Sequence, residues 1–191
     1  MKEKYQTILA DPPWRFNNST GKVSPEHKRL HRYQTMAIDE IASMAVASIC
    51  DDNAHLYLWV PNALLAEGLQ VMAAWGFTYK TNIVWVKITQ GGEVSRGGVG
   101  FYFRNATELL LFGVRGSLVT LDSARTQPNV IWAARGRHSE KPQESYRIIE
   151  ACSPGPRLEL FARPDTPMFP KRPGWHVWGN EVESDIQLEV A

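Results

Sequence analysis

Along this chain, apolar positions come in short runs separated by polar, Gly- and Pro-rich stretches, and the runs differ in period. Seven are rich in Val, Ile, Leu and aromatic residues. They predict strands at Tyr5–Ala10, His55–Val60, Thr78–Ile88, Thr107–Val114, Asn129–Ala133, Arg157–Ala162 and His176–Trp178. Runs such as LYLWV and ELLLF are apolar without alternation, the pattern of strands covered on both faces. Three other segments carry a helical pattern. Ile38–Ile49 has Asp39 and Glu40 in its first turn, where the helix dipole favours negative charge. Asn62–Trp75 opens on an N-cap residue and closes on Gly76. Pro142–Cys152 opens with Pro in the first turn and stops at a Ser-Pro-Gly-Pro segment. Strands alternating with helices predict an α/β fold with a largely parallel sheet. With 191 residues and no repeat, low-complexity segment or long linker, the chain reads as a single domain. Arg15–Tyr33 and Thr89–Asn105 read as long loops, the second holding five glycines.

Composition removes several classes of protein. No apolar run approaches the ~18 residues of a membrane span. The start, MKEKYQTILADPPW, lacks the apolar stretch and cleavage site of a signal peptide, so a cytoplasmic protein is expected. Cys50 and Cys152 are too few for a disulfide scaffold or a four-cysteine zinc site, and each ends an apolar helix as a core thiol would. His27 and His31 are four apart but have no acidic partner between them, so no metal site is expected. The formal net charge of +1 gives no whole-molecule attraction to a polyanion. Charge is uneven, however. Arg15–Arg32 and Arg135–Lys141 are basic, Tyr33–Tyr79 has no Lys or Arg, and the tail after Asn180 is acidic. The basic segments are either solvated loops or phosphate contacts.

The sharpest feature is Asp11-Pro12-Pro13-Trp14, directly after the first strand. In open α/β sheets, ligands bind outside the carboxyl ends of the strands. A carboxylate there, followed by two prolines that fix φ and remove competing donors, makes a rigid pair of hydrogen-bond acceptors. Such a pair suits an exocyclic aromatic amine. Its lone pair is delocalised until both N–H groups are held, one by the Asp11 carboxylate and one by the Pro12 carbonyl. Trp14 offers either a stacking face for the base, worth about 1–3 kcal/mol, or core packing.

Around this tetrapeptide, the sequence resembles the adenine methyltransferases related to the catalytic subunit of the eukaryotic mRNA adenosine methyltransferase, the MT-A70 family, in compact bacterial or phage form. The resemblance rests on ADPPW, Tyr33-Gln34-Thr35-Met36, HLYLWV, AAWGF, NIVWVK, ATELLLFGVRG, EKPQESYRIIEACSPGPRLELFARP and GWHVWGNE, in that order from Tyr5 to Val182. It implies a class I methyltransferase fold, Rossmann-like with helices on both faces and the acceptor motif ahead of the cofactor motifs. The implied cofactor is S-adenosylmethionine. The resemblance further implies that Asp11, Pro12, Pro13 and Trp14 form the catalytic segment, with Asp11 also near the cofactor's amino group. Lys141 would meet the methionine carboxylate, and Arg163, Asn180 and Glu181 would surround the ribose. Glu159 would orient Arg163, or else form a buried structural ion pair. Tyr33 would lie on the acceptor side or pack in the core, with Arg135 and Arg137 on the polynucleotide backbone.

Three positions depart from the family pattern. The stretch before Asp11 is short, so either another segment such as Asn129–Ile131 closes the cofactor's adenine end or cofactor affinity is weak. Glu181 replaces a glutamine of the eukaryotic enzyme, and Asp165 replaces a histidine whose role is not transferred. The expected activity is methylation of the exocyclic amine of adenine in DNA, on a flipped or single-stranded base, with a homodimer helping to hold substrate. The same chemistry on RNA adenosine or on cytosine, and an inactive nucleic-acid-binding partner subunit, stand as alternatives.

Overall fold

In β1 (Tyr5–Ala10), side chains alternate between two cores, and that alternation organises the molecule. The computed structural model describes residues 4–16, 35–98, 102–136, 140–164 and 172–189. Six further strands join β1: β2 (Cys50–Val60), β3 (Thr78–Ile88), β4 (Thr107–Arg115), β5 (Val130–Ala134), β6 (Arg157–Leu160) and β7 (Trp175–Trp178). They form one sheet in the order β5-β3-β4-β2-β1-β6-β7. All pairings are parallel except those of β4, which runs antiparallel to both β2 and β3. The mostly parallel sheet covered by helices is the Rossmann-like arrangement of class I methyltransferases. Its topology puts the carboxyl ends of six strands and the amino end of β4 along one edge.

The helices are α1 (Ile38–Ser43), α2 (Val46–Ile49), α3 (Leu65–Ala74) and α4 (Gln143–Cys152). On one face, Ile8, Leu56, Leu58, Val60 and Leu158 pack with Ile41, Val71, Met72 and Trp75. On the other, Leu9, Tyr57, Trp59, Leu110 and Ile131 pack with Ile148, Ile149 and Cys152 of α4. Full burial of each such aliphatic side chain is worth about 1.5–3 kcal/mol. Tryptophan indole N–H groups tie neighbouring elements: Trp75, at the end of α3, donates to the Ile41 carbonyl of α1, and Trp85 of β3 to the Ala133 carbonyl of β5, both at 2.9 Å.

Several boundaries differ from the sequence expectation, each for a local reason. The expected helix Ile38–Ile49 breaks at Met44, whose extended backbone (ψ 136°) carries its side chain into the core. Asn62 starts a short 3-10 turn, Asn62–Leu64, and its side chain donates to Thr107 instead of capping the helix. Pro142 stands just before α4, and its carbonyl accepts from the Ser145 amide and hydroxyl. β6 stops at Leu160 because Phe161 has φ +63°, which a ladder cannot continue. β2 begins five residues early at Cys50, and β4, β5 and β7 each shift by a residue.

Helix α3 lies so close to β2 that Gly68 has no room for a side chain. A Cβ there would sit 2.6 Å from Val60 Cγ2, on a fully buried, β-branched residue. At Gly113 the neighbour is the flexible thioether of Met72, 2.7 Å away. Alanine at Gly68 gains about 1 kcal/mol of helix propensity but meets an overpacking cost of about 1–3 kcal/mol. We expect Gly68→Ala to lower the melting temperature below that of both wild type and Gly113→Ala, by about 2–4 °C for each net kcal/mol. Thermal denaturation followed by circular dichroism checks the order.

Candidate active site at the carboxyl edge of the sheet

Asp11 leaves β1 at this edge, and the loop it begins is tied down residue by residue. The Pro12 carbonyl accepts the Trp14 amide at 2.8 Å, and the Pro13 carbonyl accepts the Met36 amide at 2.9 Å. The Arg15 amide donates to the Met36 carbonyl at 3.1 Å, and the Arg15 guanidinium donates to the Thr35 carbonyl at 2.9 Å. Trp14 is 5% exposed, and its indole N–H donates to the Trp59 carbonyl at 2.9 Å. Trp14 thus packs as a core residue beneath the Asp11–Arg15 loop.

A line of alternating charges runs from Asp11 across the edge. The Lys141 ammonium donates to both Asp11 oxygens, at 2.8 and 2.9 Å, and pairs with Glu108 Oε1 at 3.0 Å. Glu108 Oε2 in turn accepts Lys87 Nζ at 3.0 Å. The four side chains are 13–22% exposed. Beneath the cations lie indole faces: Lys141 Nζ is 5.3 Å from the Trp59 ring centre and Lys87 Nζ 4.9 Å from that of Trp85. Burial alone would raise the Glu108 pKa, but the two ammonium groups outweigh it and hold the carboxyl at about 2. Lys141 is likewise disfavoured by burial, yet Asp11 and then Glu108 carry it above the ordinary lysine value.

At β6 the neighbouring group is Glu159. Tyr146 on α4 donates its hydroxyl to Glu159 Oε1 at 2.8 Å. Burial, opposed by that hydrogen bond and reinforced by the Asp11 charge, raises the Glu159 carboxyl to about 7. Beyond the strand ends, Arg163, Asn180 and Glu181 are exposed. Between them, Gly179 packs on the β6 turn, where a Cβ would come 2.6 Å from the Ala162 carbonyl oxygen. Arg135 follows β5 and is exposed. Tyr33 and Arg137 lie outside the described residues, as do His27, His31 and Asp165.

The structure therefore brings Asp11 and Lys141 into direct contact and sets Glu159 beside them, while Arg163, Asn180 and Glu181 share the β6–β7 end of the edge. Sequence reading missed Glu108, Lys87 and Tyr146. The available signal was one charged residue at the end of each of two apolar runs, NIVWVK and ATELLLF. A separate cleft of about 640 Å³, lined by Arg157, Arg172 and His176 among others, opens at the amino ends of β6 and β7, away from this site. Among the described residues, no cluster of three or more His, Cys, Asp or Glu side chains could hold a metal, and no helix is long and apolar enough to cross a membrane.

Replacing Glu108 by Gln takes from Lys87 the carboxylate it pairs with and leaves Lys141 with Asp11 alone, both ammonium groups being largely shielded from water. We expect a loss on the order of 3 kcal/mol near neutral pH. Because the folded-state pKa of Glu108 is depressed, its contribution is complete above the unfolded value of 4.5 and fades as pH falls toward about 2. Denaturant titrations of wild type and Glu108→Gln should therefore converge over that window; a gap constant with pH would contradict the assignment.

Comparison with known proteins places the chain in a family. Residues 5–181 match the family model described as MT-A70. The type II methyltransferase M.MunI from Mycoplasma sp is 31% identical over 99% of this chain and 82% of its own length. The N(6)-adenosine-methyltransferase MT-A70-like protein of Drosophila melanogaster is 32% identical over 94% of this chain, and the human catalytic subunit METTL3 is 31% identical over the same share. The chain spans only 27–28% of those two eukaryotic proteins. The family match over nearly the whole chain, together with the fold and the M.MunI relative, shows that the chain belongs to the MT-A70 methyltransferase family.

Proposed function

We propose that this chain transfers the methyl group of S-adenosylmethionine to the exocyclic 6-amino group of adenine in DNA. The observation that carries the proposal is the pinned Asp11 carboxylate, held bidentately by a buried lysine at the carboxyl edge of the sheet. The residues present fit the cofactor. Asp11 and Lys141 form an opposite-charge pair, the complement of an amino-acid zwitterion: Lys141 would face the methionine carboxylate and Asp11 the ammonium. Exposed Arg163, Asn180 and Glu181, with Glu159 behind them, offer donors and acceptors for ribose hydroxyls. When bound, S-adenosylmethionine supplies an electrophilic methyl group on a sulfonium.

The chain's own contribution is position and charge. Lys141 keeps Asp11 ionised and fixed, so the carboxylate accepts one N–H of the target amine. The Pro12 carbonyl spends one lone pair on the Trp14 amide and keeps the other for the second N–H. With both N–H groups held, the nitrogen is free to pyramidalise, and no base of raised pKa is required because the amine turns acidic as it gains the methyl. In duplex DNA the target base must first leave the stack.

Adenine is supported by the N(6)-adenosine-methyltransferase relatives. DNA is favoured over RNA because the chain matches most of the length of a type II methyltransferase and about a quarter of those enzymes. Asp11→Ala is expected to cut methyl transfer to an adenine-containing oligonucleotide by about 10²-fold or more with the fold intact by circular dichroism. A tritium-transfer assay on single-stranded DNA, duplex DNA and RNA reads both activity and substrate rank. Undiminished activity in Asp11→Ala, or a preference for RNA, would refute the corresponding part of the proposal.

A further inference from the structure

We propose that Glu159, held by Tyr146, distinguishes the sulfonium cofactor from its thioether product: its carboxyl is ionised while the sulfonium charge is in the site and takes up a proton once that charge is gone. The inference rests on the S-adenosylmethionine reading above and concerns binding, not the chemical step. It starts from a count of charges. Asp11, Glu108 and Glu159 share this part of the edge with the ammonium groups of Lys87 and Lys141. Lys141 is divided between Asp11 and Glu108, and Lys87 pairs with Glu108. Glu159 is left over. Among the described residues it forms no ion pair, and its hydrogen-bond partner is the Tyr146 hydroxyl at 2.8 Å.

The sheet register sets this carboxyl beside Asp11. Leu9 of β1 lies opposite Glu159 of β6. Leu9 packs in the core that α4 covers, and Glu159 meets Tyr146 of α4, so both point to that face. Asp11, two residues beyond Leu9, reaches Lys141 just ahead of the same helix. Tyr146 is fixed in turn. Its ring meets Trp175 edge-on with centres 5.5 Å apart, and the Arg172 guanidinium lies 4.5 Å from its centre while pairing with Glu150 at 3.4 Å. The groups acting on Glu159 are therefore Tyr146 from α4, Asp11 from β1 with Lys141 beyond it, Arg172 from before β7, and Arg163 past the end of β6. β7 brings Trp175 and Val177 to this face, and His176 lies with Leu158 on the opposite one.

Burial disfavours the ionised carboxyl, the Tyr146 hydrogen bond favours it and the Asp11 charge disfavours it again, which leaves Glu159 at about 7. About half the molecules thus carry the charge near neutral pH. A methyl donor must bring its reacting carbon to within about 3–3.5 Å of the amine that Asp11 holds. The sulfonium charge therefore arrives where the Asp11 charge already acts on Glu159, and with the opposite sign, so it favours the ionised form. The thioether product carries the same amino-acid end without that charge. Glu108, held at about 2, and Lys141, raised above the ordinary lysine value, stay ionised with either ligand. Glu159 is the group whose state the one differing charge changes.

The test is isothermal titration calorimetry of the full chain with S-adenosylmethionine and with S-adenosylhomocysteine, in buffers of different ionisation enthalpy, which counts the protons exchanged on binding. At about pH 7 we expect S-adenosylmethionine to displace up to about half a proton more from wild type than from Glu159→Gln, and S-adenosylhomocysteine to show a smaller difference. The ligand's own amine cancels between the two proteins. Because the ligand that requires ionised Glu159 binds better as pH rises, the wild-type preference for S-adenosylmethionine should grow by up to about fivefold from about pH 6 to 7. Tyr146→Phe removes a donor to the ionised form and should move that rise to higher pH; a tyrosine that only filled space would leave it in place. Equal proton release by the two ligands, release unchanged in Glu159→Gln, or a wild-type preference flat with pH would each overturn the proposal. If Glu159→Gln does not fold, the wild-type pH dependence and its shift in Tyr146→Phe decide alone. Folded wild type that binds no S-adenosylmethionine would sink the methyltransferase reading and this inference with it, whereas binding without the proton difference sinks only the inference.

Discussion

A lysine that loses its water must be given negative charge in return, and the functional edge of this protein is arranged around that requirement. Lys141 is satisfied by Asp11 on one side and Glu108 on the other, and Glu108 is shared with Lys87. Removing water from such groups costs several kcal/mol each, repaid only when geometry and hydrogen bonding are nearly complete. The alternation of sign meets that condition. It also fixes the group proposed to receive the target amine, since an Asp11 carboxylate gripped through both oxygens has little freedom to wander.

The sheet is what makes this line of charges possible. Asp11 comes from the end of β1, Lys87 from the end of β3, Glu108 from the start of β4, and Lys141 from the segment leading into α4. They meet because β4 runs against its neighbours, so its amino end joins their carboxyl ends. Below the ions, Trp59 and Trp85 supply π faces and Trp14 locks the Asp11–Arg15 loop to the Trp59 backbone. Packing and electrostatics are therefore one structure: the tryptophans that close the core also floor the site.

Much of this was legible in the sequence, and the remainder was hidden for identifiable reasons. Strands such as LYLWV announced themselves because burial on both faces leaves no polar positions. The end of β6 did not, because nothing about Phe161 in isolation foretells a left-handed backbone. Asp11 stood out through its neighbours Pro12, Pro13 and Trp14 and through its place after a strand. Glu108 and Lys87 could not be paired on paper, since their contact depends on the β3–β4 register, which sets Glu108 opposite Trp85. Lys141 was expected to be a cofactor ligand; the fold shows it paired with both oxygens of Asp11, a contact the sequence did not announce.

The central claim is that Asp11 and Lys141 act as one unit in methyl transfer. A double-mutant cycle on kcat/KM, using Asp11→Asn, Lys141→Met and the combination on adenine-bearing single-stranded DNA, measures this directly. If the pair works as a unit, the double variant is scarcely slower than the slower single variant. Losses that multiply, with each substitution costing the same in the presence or absence of the other, would contradict the account.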